Sequence, residues 1–328
     1  MGFFFDWIAL QLGKLNSRKR NPTPSVSFVG GVSDADTCVN NSSQSASETP
    51  PTQFLDAGKL LATTFVRSVE LHDKLGSTND RAIELARDPN VELPALVVAR
   101  WQTAGRGRGR KAWWSDEGAL TFSLLIDAIR MGIQPANWPQ LSLATAVAAC
   151  DAIGLRIAKC GVRIEEPNSK LSLGIKWPND VWADGRKISG ILIESPGGST
   201  RAKDRVIIGI GINVNNSWHD APGDVGQLGT SLFDLTDRTH DLQLFLIDLL
   251  HCLTSRFEQL SACDPELIRA WQTLDLIAGQ TITLETDGRR IEGECVEIAR
   301  DGALVLETVF GSQRFFSGTA RLVDRSLT

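Results

Sequence analysis

Two short segments of this chain place chemically capable residues at close spacing. Gly105-Arg106-Gly107-Arg108-Gly109-Arg110 alternates glycine with arginine, and Lys176-Trp177-Pro178-Asn179-Asp180 closes an apolar run. Glycine lets a backbone wrap closely around a ligand, and guanidinium forks along it can neutralise several oxyanions at once. The first segment therefore reads as an anion clamp. A lysine at a strand end adds a compact positive charge, suited to an oxygen that gains charge during a reaction. Together the two segments point to nucleotide chemistry.

Missing motifs narrow the reaction type. There is no G-x-S-x-G elbow, no H-E-x-x-H and no G-x-x-x-x-G-K-[ST] loop, and the four histidines (His72, His219, His240, His251) lie away from both segments. Charge stabilisation is left as the mechanism that the sequence signposts.

The elements that must hold these residues follow from periodicity. Ser77-Thr78-Asn79 precedes Asp80 to Arg87, which has helical apolar spacing, so a helix is predicted there. Ala95 to Ala99 and Thr121 to Ile126 read as buried strands on either side of the glycine-arginine loop. In 206–214, Gly209, Gly211 and Asn213 alternate with Ile208, Ile210, Ile212 and Val214, giving one apolar face and one bare face. A flat ligand ring, a bulge or a closely crossing helix would each account for those glycines. Lys176 shares a strand face with Ser172 and Gly174, and Asp184-Gly185 turns the chain back through 187–193. Long helices are predicted over 142–153 and 241–260. From residue 280 the texture changes to short strands over 281–284, 291–298, 303–309 and 313–323, turned at Asp287-Gly288, Asp301-Gly302 and Gly311.

Composition sets the outer bounds. The chain has 328 residues, of which 42% are hydrophobic, enough for a two-domain α+β protein: 56–275 as a catalytic domain and 276–328 as a small β-domain. A net charge of -5 argues against a surface built for nucleic acid. Six scattered cysteines without a C-x-x-C pair fit reduced thiols in the cytoplasm. Phe3 to Leu10 is too short to span a bilayer, and positive charge follows it, so neither a signal peptide nor a membrane span is expected. Residues 21–53 are rich in Ser, Thr, Asn and Pro, and 1–55 is predicted to be a disordered extension. Its first twenty residues fit a membrane-surface helix, a partner-docking helix or an overextended start.

Gly105-Arg106-Gly107-Arg108 with Trp113, Lys176 to Asp180, Lys187-Ile188-Ser189-Gly190-Ile191-Leu192 and Gly209 to Asn213 resemble, in order and spacing, the signature segments of biotin protein ligases. The similarity runs from about Val66 to the C-terminus, in the form without an N-terminal helix-turn-helix. The resemblance implies a catalytic fold like that of class II aminoacyl-tRNA synthetases, with mixed sheet and helices, followed by an SH3-like barrel. It implies an ATP-dependent ligase that makes biotinyl-5′-AMP and passes the biotin to a lysine of a biotin carboxyl carrier protein of acetyl-CoA carboxylase or a related carboxylase. The protein would act as monomer or homodimer, without nucleic acid or membrane.

The resemblance also implies residue roles. Ser77, Thr78, Asn79 and Gln102 would line the biotin site, and Gly190, Gly209 and Gly211 would lie beside the ring. Arg106, Gly107 and Arg108 would hold the biotin carboxylate and the phosphates, and Trp113 would cover adenine. Lys176 would act on the carboxyl and α-phosphate oxygens, with Asn179 and Lys187 at the nucleotide and Asn213 helping to place Mg²⁺. The family continues Gly-Arg-Gly-Arg-x-Gly-Arg-x-Trp, whereas this chain has Gly109-Arg110-Lys111-Ala112-Trp113, a shifted second pair. Rival readings are a lipoate or octanoate ligase, which lacks a Lys-Trp-Pro-Asn-Asp segment, a biotin-responsive DNA-binding repressor, and a noncatalytic binding module.

Overall fold

A computed structural model of the chain describes residues 54–323 apart from 110, 115, 163–170, 198–201 and 220–227, together with the backbone of 25–28. Among the described residues, eight strands make one mixed sheet: β1 (Ser25–Phe28), β2 (Ser68–Leu75), β3 (Ala95–Gln102), β4 (Leu120–Asp127), β5 (Leu173–Lys176), β6 (Asp180–Ala183), β7 (Arg186–Glu194) and β8 (Arg205–Ile212). Their order is β1-β2-β3-β4-β8-β7-β6-β5. β1, β2 and β3 pair in parallel; the other neighbours are antiparallel.

The helices are α1 (Ala57–Thr63), α2 (Thr78–Leu85), α3 (Leu141–Lys159, after a 3-10 turn at Pro135–Gln140), α4 (Leu232–Thr236), α5 (Leu242–Ser261) and α6 (Pro265–Thr273). Alternation along the strands decides what each sheet face meets. Leu96 and Val98, Leu120, Phe122, Leu124 and Ile126, and Ile208, Ile210 and Ile212 enter the main core with α3 and α5. Ala95, Val97, Leu125 and Ile207 face the other way and pack on Ala82 of α2 and on Ala86, the residue that caps it. Helix α3 is largely apolar and buried from Leu141 to Gly154, as a helix covered on most sides must be, with Thr145 and Asp151 the buried polar exceptions. The segment Pro135–Lys159 is long and apolar enough to cross a membrane, but 78% of its most apolar stretch is buried inside the fold.

The C-terminal strands are β9 (Thr281–Thr286), β10 (Arg289–Ile298), β11 (Leu304–Thr308), β12 (Gly311–Phe315) and β13 (Thr319–Leu322), in an antiparallel sheet ordered β12-β11-β10-β9-β13. The single last strand expected over 313–323 is two strands. Gly318 breaks it at φ +148, where a Cβ would run into the Leu284 side chain. This sheet is tied to the rest of the chain through Trp177, whose indole Nε1 donates to the Gly302 carbonyl at 3.0 Å.

The N-terminal expectation also needs correction at one place. Residues 25–28 were read as part of a disordered extension, yet they form β1, in register with Ser68 to Leu71 of β2. The open edge of β2 offers unpaired backbone groups, and the polar-apolar alternation of Ser25-Val26-Ser27-Phe28 suits strand addition there. The rest of the segment before residue 54 lies outside the described residues.

Candidate active site

Strand register collects the dispersed motifs into one row. Lys176 pairs with Asp180, Asp180 with Gly190, Gly190 with Gly211, and Gly211 with Thr121. The adjacent row sets Leu192 beside Gly209 and Gly209 beside Ser123. These rows lie on the α2 side of the sheet, opposite the helical core. They floor a cavity of about 630 Å³, reached also by Thr319, Ala320 and Arg321 of β13.

The bare glycine face is covered by protein side chains. A Cβ on Gly211 would overlap the Trp113 indole, and one on Gly209 would overlap the Asn79 amide, which comes from the first turn of α2. Trp113 reaches this place because Gly105 to Trp113 folds as a small hairpin, with Trp113 N bonded to Gly105 O at 2.9 Å and Gly107 N to Lys111 O at 2.8 Å. Its indole Nε1 is buried without a hydrogen-bond partner.

Around the glycines runs a chain of polar contacts. Gln102 Oε1 accepts from Thr78 N at 2.8 Å, the Ser123 hydroxyl donates to Asn79 Oδ1 and shares a hydrogen bond with the Thr78 hydroxyl, and Asn79 Nδ2 donates to Glu194 at 2.7 Å. Glu194 in turn receives both ends of the Arg106 fork, at 2.8 and 2.7 Å. Arg108 does not share that carboxylate: it donates to the Gly318 carbonyl between β12 and β13. Burial holds its guanidinium below the usual arginine range, against the attraction of Asp180.

At the other end of the row Lys176 Nζ lies 4.0 Å from the centre of the Trp182 ring. Burial pushes the ammonium below the usual lysine range; Asp180 opposes this, while Lys111, Lys187 and Arg321 add to it. Lys187 Nζ is held by Asp180 at 2.7 Å. Asn179 fixes the turn between β5 and β6 by donating to the Ile191 carbonyl at 2.8 Å. A semi-enclosed cavity with a partly dehydrated lysine, a second lysine and two arginines near its walls can bring anionic oxygens together, which is what joining two acids requires.

With that geometry in place, the comparisons with known proteins become specific. The sequence profile of the Biotin/lipoate A/B protein ligase family matches residues 73–213. The bifunctional ligase/repressor BirA of Bacillus subtilis is 34% identical over 252 residues, covering 76% of this chain and 73% of that protein. The chain belongs to the biotin/lipoate A/B protein ligase family. The biotin--[acetyl-CoA-carboxylase] ligase of Paracoccus denitrificans is 34% identical over 240 residues, 72% of this chain and 93% of that one. Among solved structures, the biotin protein ligase of Aquifex aeolicus in complex with biotin and ATP superimposes with a TM-score of 0.60 at 27% identity, covering 78% of this chain and 99% of that chain. The protein is a ligase enzyme with a mixed α/β fold like those structures.

The ligase gathers nearly every residue singled out in its sequence. Ser77, Thr78, Asn79 and Gln102 line one side of the cavity, with Arg106, Gly107, Arg108 and Trp113 over it. Lys176, Asn179, Lys187, Gly190, Gly209 and Gly211 border it too. Asn213 does not. It is fully buried, its Nδ2 donates to the Thr230 carbonyl at 3.0 Å and its Oδ1 accepts from Asn216 at 3.1 Å. That donor set does not fit a metal ligand. Among the described residues no group of three or more His, Cys, Asp or Glu could hold a metal ion either.

Sequence reasoning missed Glu194, Ser123 and the β13 residues. Glu194 was legible as a carboxylate ending an apolar strand, and Ser123 as a polar break in one; nothing in the sequence announced that β13 returns to the cavity. The Arg108 contact with that sheet has a measurable consequence. Arg108→Ala is expected to quicken cleavage within 105–112 by a nonspecific protease several-fold and to speed amide exchange at Thr319. Unchanged cleavage and exchange would show that the contact does not restrain the loop.

Proposed function

We propose that the ligase activates biotin with ATP as biotinyl-5′-AMP, then transfers the biotin to a lysine of a carrier protein, the biotin carboxyl carrier protein of acetyl-CoA carboxylase or a related carboxylase. The observation that carries this reading is the row from Lys176 through Asp180 and Gly190 to Gly211, beside an arginine loop. In the first step a biotin carboxylate oxygen attacks the α-phosphorus, the bond to the β-phosphate breaks, and pyrophosphate leaves with the electron pair. Both reactants are anions, so the barrier contains their repulsion, and Lys176 lowers it where the charges meet. In the second step a carrier lysine amine attacks the acyl carbon, AMP departs, and the amine loses a proton.

The bound biotin and ATP of the Aquifex aeolicus relative support this assignment of ligands, and the names of the Paracoccus relative and its kin support the carrier. Ser77, Thr78, Asn79 and Gln102 take the ureido end of biotin. Trp113 leaves the glycine face as the ring enters and then covers adenine. The mixed anhydride hydrolyses in bulk water, and a glycine-rich loop folded over it keeps water out. In this reading β9–β13 is the SH3-like domain of the family, supplying one wall through β13. The Bacillus relative is also a repressor. A net charge of -5 argues against a surface built for duplex DNA, and the ligase activity alone is proposed here.

Purified protein incubated with ATP is expected to release pyrophosphate only when biotin is added, and to label a carrier domain when one is present. Release with lipoate or octanoate in place of biotin would transfer the assignment to the other branch of the family, and no release with any acid would refute adenylation.

A further inference from the structure

We infer that Glu194, with Asp80 beside it, is a built-in counter-anion that holds Arg106 until a carboxylate ligand arrives, so that the charge of Glu194 sets how tightly the site takes an acid. The inference rests on the proposed activity and concerns one contact within it. The Arg106 fork is filled: Nη1 and Nη2 meet the two Glu194 oxygens, and Nη2 also meets Asp80 Oδ1 at 2.8 Å. This paired geometry is the one in which a guanidinium takes a ligand carboxylate. A ligand that needs Arg106 therefore competes with a carboxylate already in place.

Glu194 is secured independently of the arginine, because Asn79 donates to its Oε2 at 2.7 Å and Asn79 is itself fixed through Ser123. Arg106 is less completely satisfied, since its Nε is buried without an acceptor. Removing the arginine from this cluster thus costs its fork, while Glu194 keeps a donor. The charges also matter. Two carboxylates face one guanidinium, and a ligand carboxylate entering beside them would raise the count to three against one. Arg106 has to turn toward the ligand, away from Glu194, and the repulsion left behind opposes binding of acids while sparing neutral ligands.

The variant that isolates this effect is Glu194→Gln, which keeps the shape and an acceptor for Asn79 but removes the charge. Calorimetric titration would compare parent and variant with biotin and with biotin methyl ester, which has the same rings and no carboxylate. Biotin is expected to bind the variant roughly ten-fold more tightly, the ester within two-fold of parent, and the gain should shrink as salt is raised. Equal shifts for the two ligands, no shift, or weaker binding of biotin would overturn the inference. Asp80→Asn, at a more exposed carboxylate, is expected to give a smaller gain of the same sign, and it carries the comparison if Glu194→Gln does not fold. A parent protein that binds neither ligand would overturn the proposed function itself, a result distinct from parent binding without selectivity in the variant.

Discussion

Lys176→Ala is expected to lower the rate of adenylate formation by ~10²- to 10³-fold, the usual cost of losing one preorganised charge at a developing anion. The effect belongs in kcat, measured as pyrophosphate release at saturating biotin and ATP, because the lysine acts where the reacting oxygens meet. Its environment makes the assignment testable by pH as well. Burial, and then the nearby Lys111, Lys187 and Arg321, hold the Lys176 ammonium below the usual lysine range, although Asp180 pulls the other way. As pH rises through that lowered pKa the charge is lost, so the parent rate should fall on the alkaline side earlier than an ordinary lysine would allow. The alanine variant has no such charge to lose and should lack that limb. Turnover near that of the parent, or an unchanged alkaline limb, would remove Lys176 from the chemistry.

The row that places Lys176 was only half legible in the sequence. Alternation showed which residues of 206–214 share a face, and the Asp184-Gly185 turn showed that 187–193 returns beside the lysine strand. Register across five strands is a long-range quantity, and periodicity within one strand cannot supply it. The pairing of Gly190 with Gly211 therefore had to come from the fold. The bare face illustrates the same limit. The sequence left a ligand, a bulge or a crossing helix as reasons for Gly209 and Gly211, and two side chains from separate places, Asn79 and Trp113, cover them.

Partnerships of charged residues were the least legible part. Arg106 and Arg108 are two residues apart and were assigned the same work, yet one meets Glu194 and Asp80 while the other meets a backbone carbonyl of the C-terminal sheet. Spacing alone gives two arginines so close in sequence no reason to differ. Their partners lie far away in sequence, and which arginine finds which is decided by the hairpin that carries both. By contrast, helix α3 was predicted over 142–153 from its apolar run, because burial over most of that stretch leaves a continuous compositional trace, and its charged last turn to Lys159 was missed.

That helical layer holds the second large effect. Asp151 of α3 and Arg256 of α5 form an ion pair at 2.8 Å, with side chains only 1% and 7% exposed. Burial raises the Asp151 carboxyl above its ordinary range, and Arg256 counters this. Arg256→Met would deprive that carboxylate of its cation in a site water does not reach, and the expected loss of stability is about 3–5 kcal/mol, read from denaturant midpoints. The double variant Asp151→Leu, Arg256→Met should regain most of it, because neither charge then needs solvation. The sign of the pH effect separates this account from lost packing. A carboxyl whose folded pKa lies above its unfolded value binds more protons folded than unfolded, so stability falls as pH rises through that window. Arg256→Met widens the window, and its deficit relative to parent should therefore shrink on acidification from neutral pH. A deficit that stays constant from neutral to acid, or a double variant no more stable than the single one, would mean that the arginine stem supports the two helices by packing and that its charge is incidental.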